Sequence, residues 1–154
     1  MKIVTGSPKE TEHFGEMLGE EILKKRLRLS SALIVALYGN LGAGKTVFVK
    51  GFAKGVGAKG KISSPTFLIV RRLALKKNQA GFKNLFHVDA YRIRRKSELG
   101  HIDFQKIVAN PKNIVVIEWA SKTLTFLKKS LVKVAMWHGK SDKERGIDFS
   151  LVAR

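Results

Sequence analysis

Gly39-Asn40-Leu41-Gly42-Ala43-Gly44-Lys45-Thr46 fits the pattern G-x-x-x-x-G-K-[ST] at every fixed position. The chemistry this spacing serves is the holding of a polyphosphate. Glycines reach backbone angles that other residues resist, which lets the main chain close on a phosphate with its N–H groups turned inward. A helix opening near Lys45 adds its positive end and its free donors. Lys45 then reaches the β- and γ-phosphates as a point charge, and the Thr46 hydroxyl is placed to hold Mg²⁺. The nucleotide contacts expected of this segment are Gly42, Ala43, Gly44, Lys45, Thr46 and Val47.

A bound phosphate is not yet a reaction. Phosphoryl transfer also needs a carboxylate near the metal and a group that orients the attacking water. Two acids close apolar runs: Asp89 in Leu85-Phe86-His87-Val88-Asp89, and Glu118 in Ile114-Val115-Val116-Ile117-Glu118. In open α/β sheets ligands sit at the carboxyl ends of the strands, where both acids would lie. Either could help to hold the metal while the other orients water. His13, His87, His101 and His138 show no metal-ligand spacing.

The elements that must position these residues follow from periodicity. Ile3 and Val4 suit a short strand. Ser7-Pro8-Lys9-Glu10 reads as a capping box with proline in the first turn, and the apolar spacing from Phe14 to Leu23 predicts a helix to about Arg28. Ala32–Tyr38 is a continuous apolar run of strand length, followed by the Gly-rich loop and a helix from Lys45 to about Val56. Thr66–Leu73 and Leu85–Asp89 read as strands, with Ala74–Lys83 a polar, turn-like stretch between them. Ser97 caps a helix through about Val108, ended by Asn110-Pro111. Ile114–Ile117 is a further strand. Leu131–Trp137 and Gly146–Val152 alternate as a hairpin would. Strands alternating with helices predict an α/β domain with a mostly parallel sheet, to which the C-terminal hairpin adds antiparallel strands.

Composition narrows the partners. Thirty Lys and Arg stand against 12 Asp and Glu, a net charge of +18, and such a field attracts polyanions, nucleic acid foremost. The charge is densest at Lys24–Arg28, Arg71–Lys77 and Arg92–Lys96. Cysteine is absent, which excludes disulfides, thiolate metal sites and a cysteine nucleophile. No signal-like apolar segment follows Met1-Lys2, and the longest apolar runs are too short to span a bilayer. The expected location is the cytoplasm, with no membrane partner.

Four segments together resemble the TsaE family. They are the loop itself, Ser64-Pro65-Thr66-Phe67, His87-Val88-Asp89-Ala90-Tyr91-Arg92, and Ile117-Glu118-Trp119, in the family's order and spacing from residue 39 to residue 119. TsaE proteins are the P-loop ATPases of bacterial tRNA threonylcarbamoyladenosine biosynthesis. The resemblance implies a P-loop NTPase-type three-layer fold filling one domain, residues 1–154, with ATP and Mg²⁺ as cofactors. It implies catalytic roles for Lys45, Asp89 and Glu118, with Thr46 and Glu118 on the metal and Asp89 needed for turnover. Ser64, Pro65 and Thr66 resemble a nucleotide-responsive switch. Trp119 is implied as functionally important, against the nucleotide or on the loop, and Thr11 as approaching the base. Lys143 or Arg145 is a candidate basic contact in the C-terminal part. The implied partners are the TsaB–TsaD pair, of which TsaD transfers the threonylcarbamoyl group to the adenosine beside the anticodon; tRNA is met indirectly or through the basic surface. ATP hydrolysis, slow without partners, is implied to reset that complex between cycles. Departures lie at Ser121 and Lys122 and in the basic run Arg94-Arg95-Lys96, where relatives tend to be acidic or polar.

Two other readings share the loop. A small P-loop kinase would use Arg92, Arg94, Arg95 and Lys96 as a clamp on the transferring phosphoryl group, and would need an acceptor pocket that the sequence does not display. A nucleic-acid-binding module with a structural nucleotide would explain the charge, although aromatic platforms for bases are sparse. The absence of an N-K-x-D segment argues against a GTPase.

Overall fold

The computed structural model describes residues 1–25, 27–63, 70–95, 97–100, 103–122 and 131–152. Seven strands form one sheet: β1 (Lys2–Thr5), β2 (Leu33–Tyr38), β3 (Val70–Gln79), β4 (Phe82–Asp89), β5 (Asn113–Glu118), β6 (Leu131–His138) and β7 (Arg145–Val152), in the order β1-β7-β6-β2-β5-β4-β3. The four inner strands β6, β2, β5 and β4 run parallel. β7 and β1 add antiparallel pairings at one edge, and β3 adds one at the other. The helices are α1 (Pro8–Lys24), α2 (Lys45–Gly55), α3 (Ser97–Gly100) and α4 (Phe104–Ala109). β2 and β5 are buried almost throughout, which is why they read as unbroken Leu-Ile-Val runs and not as alternations.

The sheet has a core on each face. Leu33, Val35 and Leu37 of β2 point to the face shared with Ile22 of α1 and Phe48, Val49 and Phe52 of α2. Ile34 and Ala36 point to the other, with Val115, Ile117 and Phe104 of α4. This is the three-layer α/β arrangement expected. Among the described residues no helix is long and apolar enough to cross a membrane.

α1 begins as its sequence demands. Glu10 N–H donates to Ser7 Oγ (3.2 Å), and the Glu10 carboxylate accepts from the Gly6 N–H (2.8 Å). The return arm of the box thus closes one residue earlier than in the usual motif. α1 then lies directly on α2. A Cβ at Gly51 or Gly55 would collide with the carbonyls of Glu12 and Glu16; one at Gly15 would collide with that of Phe48, and one at Gly19 would stand 2.8 Å from that of Phe52. Four glycines, two on each helix, therefore let the backbones touch.

Three expectations need correction. α1 ends at Lys24, not near Arg28. The stretch from Ala74 to Lys83 is not a turn: β3 continues to Gln79 and β4 starts at Phe82, joined by Ala80-Gly81, both at positive φ (51° and 91°) as a tight two-residue hairpin requires. The Arg and Lys residues of β3 suit an edge strand, where charge blocks further pairing. The helix expected from Ser97 to Val108 is two short ones, with Asp103 at φ 50° before α4. The strand expected from Thr66 lies outside the described residues as far as residue 69.

The helix contact gives a direct test. Gly51→Ala should lower the unfolding free energy by about 1–3 kcal/mol, as other overpacked sites do, in a chemical denaturation series. A variant as stable as the parent would contradict the close contact, since alanine by itself favours a helix by about 1 kcal/mol over glycine.

Candidate active site

Parallel pairing brings three strand ends level. Leu37 of β2 sits opposite Glu118 of β5, and Glu118 opposite Asp89 of β4. The chain leaves β2 into the loop at Gly39 and re-enters structure at Lys45, the first residue of α2. Gly39, Gly42 and Gly44 have φ of 145°, 76° and 92°. At Gly39 a side chain would also meet the carbonyl of Met136 in β6. Gly44 occupies the N-cap of α2 without a side-chain cap, so the first N–H groups of the helix have no intrahelical acceptor and face the loop. An uncapped helix end beneath a ring of left-handed glycines is a phosphate cradle.

Lys45 is buried and spends its ammonium within that cradle. Nζ donates to the carbonyls of Gly39 (2.8 Å) and Asn40 (2.9 Å) and lies 3.8 Å from the centroid of the Trp119 ring. Burial holds its pKa below the ordinary lysine value, opposed by the nearby carboxylates of Glu118 and Asp89. The charge is thus held at a desolvation cost, which an incoming anion would relieve.

The Thr46 hydroxyl donates to the Glu118 carboxylate, 3.0 Å from Oε2 and 3.2 Å from Oε1. Glu118 is buried, and its Oε1 also lies 2.8 Å from Nε2 of the fully buried His87. A hydroxyl and a carboxylate side by side under the phosphate cradle are hard oxygen donors of the kind Mg²⁺ takes, with phosphate oxygens and water completing its shell. The residues present therefore fit both a nucleoside polyphosphate and Mg²⁺. Asp89 lies one strand further out, half-buried, and accepts from the Tyr91 N–H (2.9 Å). The Tyr91 ring packs on Trp119 with centroids 5.0 Å apart, and Trp119 itself takes a left-handed φ of 59°. That turn, directly after Glu118, is what puts its ring over Lys45.

Lys45, Thr46, Glu118, Asp89 and Trp119 are thus gathered at one end of the sheet, with Gly42, Ala43 and Gly44 forming the loop and Val47 in the first turn of α2. Thr11 lies behind the loop. It is buried, its hydroxyl is 2.7 Å from that of Thr5, and a Cβ at Gly44 would stand 3.7 Å from its methyl. The expected switch, Ser64, Pro65 and Thr66, lies outside the described residues. Two loop contacts come from the C-terminal hairpin: Arg145 Nε donates to the Gly42 carbonyl (3.1 Å), and His138 Nε2 lies 3.1 Å from the Leu41 carbonyl. Of the two basic candidates there, Arg145 is therefore the one on the loop. Neither His138 nor the partnership of His87 with Glu118 was legible from spacing; the one available sign was a polar ring within the apolar run of β4.

The sequence model described as "Threonylcarbamoyl adenosine biosynthesis protein TsaE" matches residues 5–147. The tRNA threonylcarbamoyladenosine biosynthesis protein TsaE of Haemophilus influenzae is 37% identical over 109 residues, 71% of this chain and 64% of that protein, so the match spans just under two thirds of its length. The protein of the same name from Treponema pallidum is 34% identical over 88% of this chain and 90% of its own. The crystal structure of Bacillus subtilis YdiB superposes with a TM-score of 0.70 and 25% identity, covering 99% of this chain and 86% of that one.

The lowered lysine value has a stability consequence. Folded Lys45 gives up its proton more readily than it does in the unfolded chain, so its penalty is full below the lowered value and is relieved as pH rises from there toward the ordinary 10.5. The difference in unfolding free energy between the parent and Lys45→Met should shift in the parent's favour across that window, as read from denaturant melts without nucleotide. A difference independent of pH would contradict the buried ammonium.

Proposed function

The chain belongs to the TsaE family, and from that membership we propose that it is the Mg²⁺-dependent ATPase that lets a TsaB–TsaD pair make repeated threonylcarbamoyl transfers to tRNA. The observation that carries the reading is the contact of Thr46 with Glu118 beneath a glycine cradle. The loop supplies phosphate binding, the pair supplies metal ligands, and Asp89 at the end of β4 supplies the group that orients water.

In this reading the loop amides and the start of α2 bind the β- and γ-phosphates of ATP. Lys45 exchanges the carbonyls of Gly39 and Asn40 for phosphate oxygens, so its charge is already desolvated and aimed when the nucleotide arrives. Thr46 and Glu118 hold Mg²⁺, which when bound neutralises charge on the phosphates. Asp89, held by the Tyr91 N–H, orients the water that attacks the γ-phosphorus while the bond to the β-phosphate oxygen breaks and ADP leaves. Trp119 covers the Lys45 side of the cradle and limits access of bulk water. Isolated turnover is slow because completion of the site awaits the partners; release of phosphate then changes affinity for them through the segment around Thr66.

The test joins the site to the pathway. Purified TsaB and TsaD from the same organism, given threonylcarbamoyl-adenylate, tRNA and ATP, should modify more than one tRNA per complex when this protein is present and stop at one without it. Lys45→Ala should lower ATP hydrolysis about 100-fold or more, the usual effect of removing one preorganised charge-stabilising donor, and should fail to sustain multiple turnovers. Asp89→Asn should keep nucleotide binding and lose turnover. Full hydrolysis by Lys45→Ala would refute the site; full hydrolysis with no effect on tRNA modification would refute the pathway role alone.

A further inference from the structure

On the face of β4 that looks toward α2, Leu85 and His87 alternate in the row that ends at Asp89. Leu85 is paired with Ile114 of β5 and Leu73 of β3, and His87 with Val116 and Arg71. Leu73, Leu85, Ile114 and Val116 belong to the core on this face. His87 is fully buried among them. Its Nδ1 has no hydrogen-bond partner among the described residues. An apolar side chain would suit the row better, because a buried polar atom without a partner is a net cost. A break in the pattern that folding does not repay points to function, and the compensating contact is Nε2, 2.8 Å from Glu118 Oε1. An ionised carboxylate only accepts, so Nε2 carries the proton of this bond.

Among the described residues, three polar side chains act on Glu118 with different reach. The Thr46 hydroxyl has one proton and can serve either oxygen, at 3.0 or 3.2 Å. Lys45 acts on it through charge and donates its hydrogen bonds elsewhere. Among the described residues His87 is the one side chain hydrogen-bonded to a single oxygen of Glu118, and its ring is fully buried.

We infer that His87 is a positioning residue for Glu118: its Nε2–H holds Oε1 from within the sheet and so fixes Oε2 toward Thr46 and the divalent cation the two residues share. This rests on the Mg²⁺ reading of that pair. His87 touches neither nucleotide nor metal, and acts as outer partners of metal-ligating carboxylates do, by orienting the ligand.

The experiment measures binding of a fluorescent ATP analogue to the full-length protein as Mg²⁺ is titrated, and again in EDTA. Wild type is compared with His87→Leu, His87→Gln and His87→Asn. Glutamine can place an amide N–H where Nε2 stands; asparagine places its amide at the level of Nδ1. The Mg²⁺ concentration giving half the metal-dependent gain in affinity should rise about tenfold in the Leu and Asn variants and return close to wild type in Gln. Affinity in EDTA should be alike in all four. Midpoints unchanged in the Asn variant, a Gln variant no better than Asn, or an equal loss of affinity in EDTA overturns the assignment. Should the Leu variant fail to fold, the Gln–Asn comparison decides alone. A wild type that gains no affinity from Mg²⁺ refutes the shared-cation reading and the positioning role with it. A wild type that responds while every variant matches it refutes the role of His87 only.

Discussion

The level ending of β2, β5 and β4 is the constraint on which the site depends. Parallel strands in register deliver their carboxyl ends to one edge, and here that register sets Leu37 beside Glu118 and Glu118 beside Asp89. Slipping β5 by one residue would turn Glu118 to the opposite face and bring Ile117 under Thr46, because side chains alternate with a period of two. The register is held by burial: Val115 and Ile117 serve one core, Ile114 and Val116 the other. A two-sided apolar strand therefore places one carboxylate at its end.

α2 must then be held so that Thr46 meets that carboxylate. The glycines of α1 and α2 do this from behind, by letting the two backbones touch along Gly15, Gly19, Gly51 and Gly55. Close helix contact leaves little freedom for α2 to slide. The same helix pair brings Thr11 under Gly44, and Thr11 is tied in turn to Thr5 at the end of β1. The antiparallel edge formed by β1, β7 and β6 is thus connected to the loop, and Arg145 and His138 reach it from the same hairpin. The C-terminal strands extend the sheet and also brace the nucleotide loop.

Much of this was legible in the residues. The loop pattern, the two unbroken apolar strands and the acids that close β4 and β5 carry their signals locally, and the parallel core follows from them. Two strands with a turn between them were legible at β3 and β4, but not how far the strands run toward that turn. The edge strand β3 is rich in Arg and Lys, and the turn is Ala80-Gly81, without the Asn-Gly or Asp-Gly that marks such turns most strongly. The helix break before α4 depends on Asp103 adopting a left-handed φ, which nothing in its neighbourhood announces. At the site, Trp119 could be named as important but not placed, because the ring reaches Lys45 through a backbone turn at positive φ. The link from His87 to Glu118 is a contact between strands, and no spacing within one segment encodes it.

The most direct measurement is a crystal structure of the protein with a non-hydrolysable ATP analogue and Mn²⁺, read by the anomalous signal of the metal. The ion is expected beside Thr46 Oγ1 and the Glu118 carboxylate, the β-phosphate among the amides of residues 39–44, and Lys45 Nζ moved from the carbonyls of Gly39 and Asn40 to the phosphates. A nucleotide bound elsewhere, or a bound nucleotide with Lys45 still on those carbonyls and the metal away from Thr46, would contradict that placement.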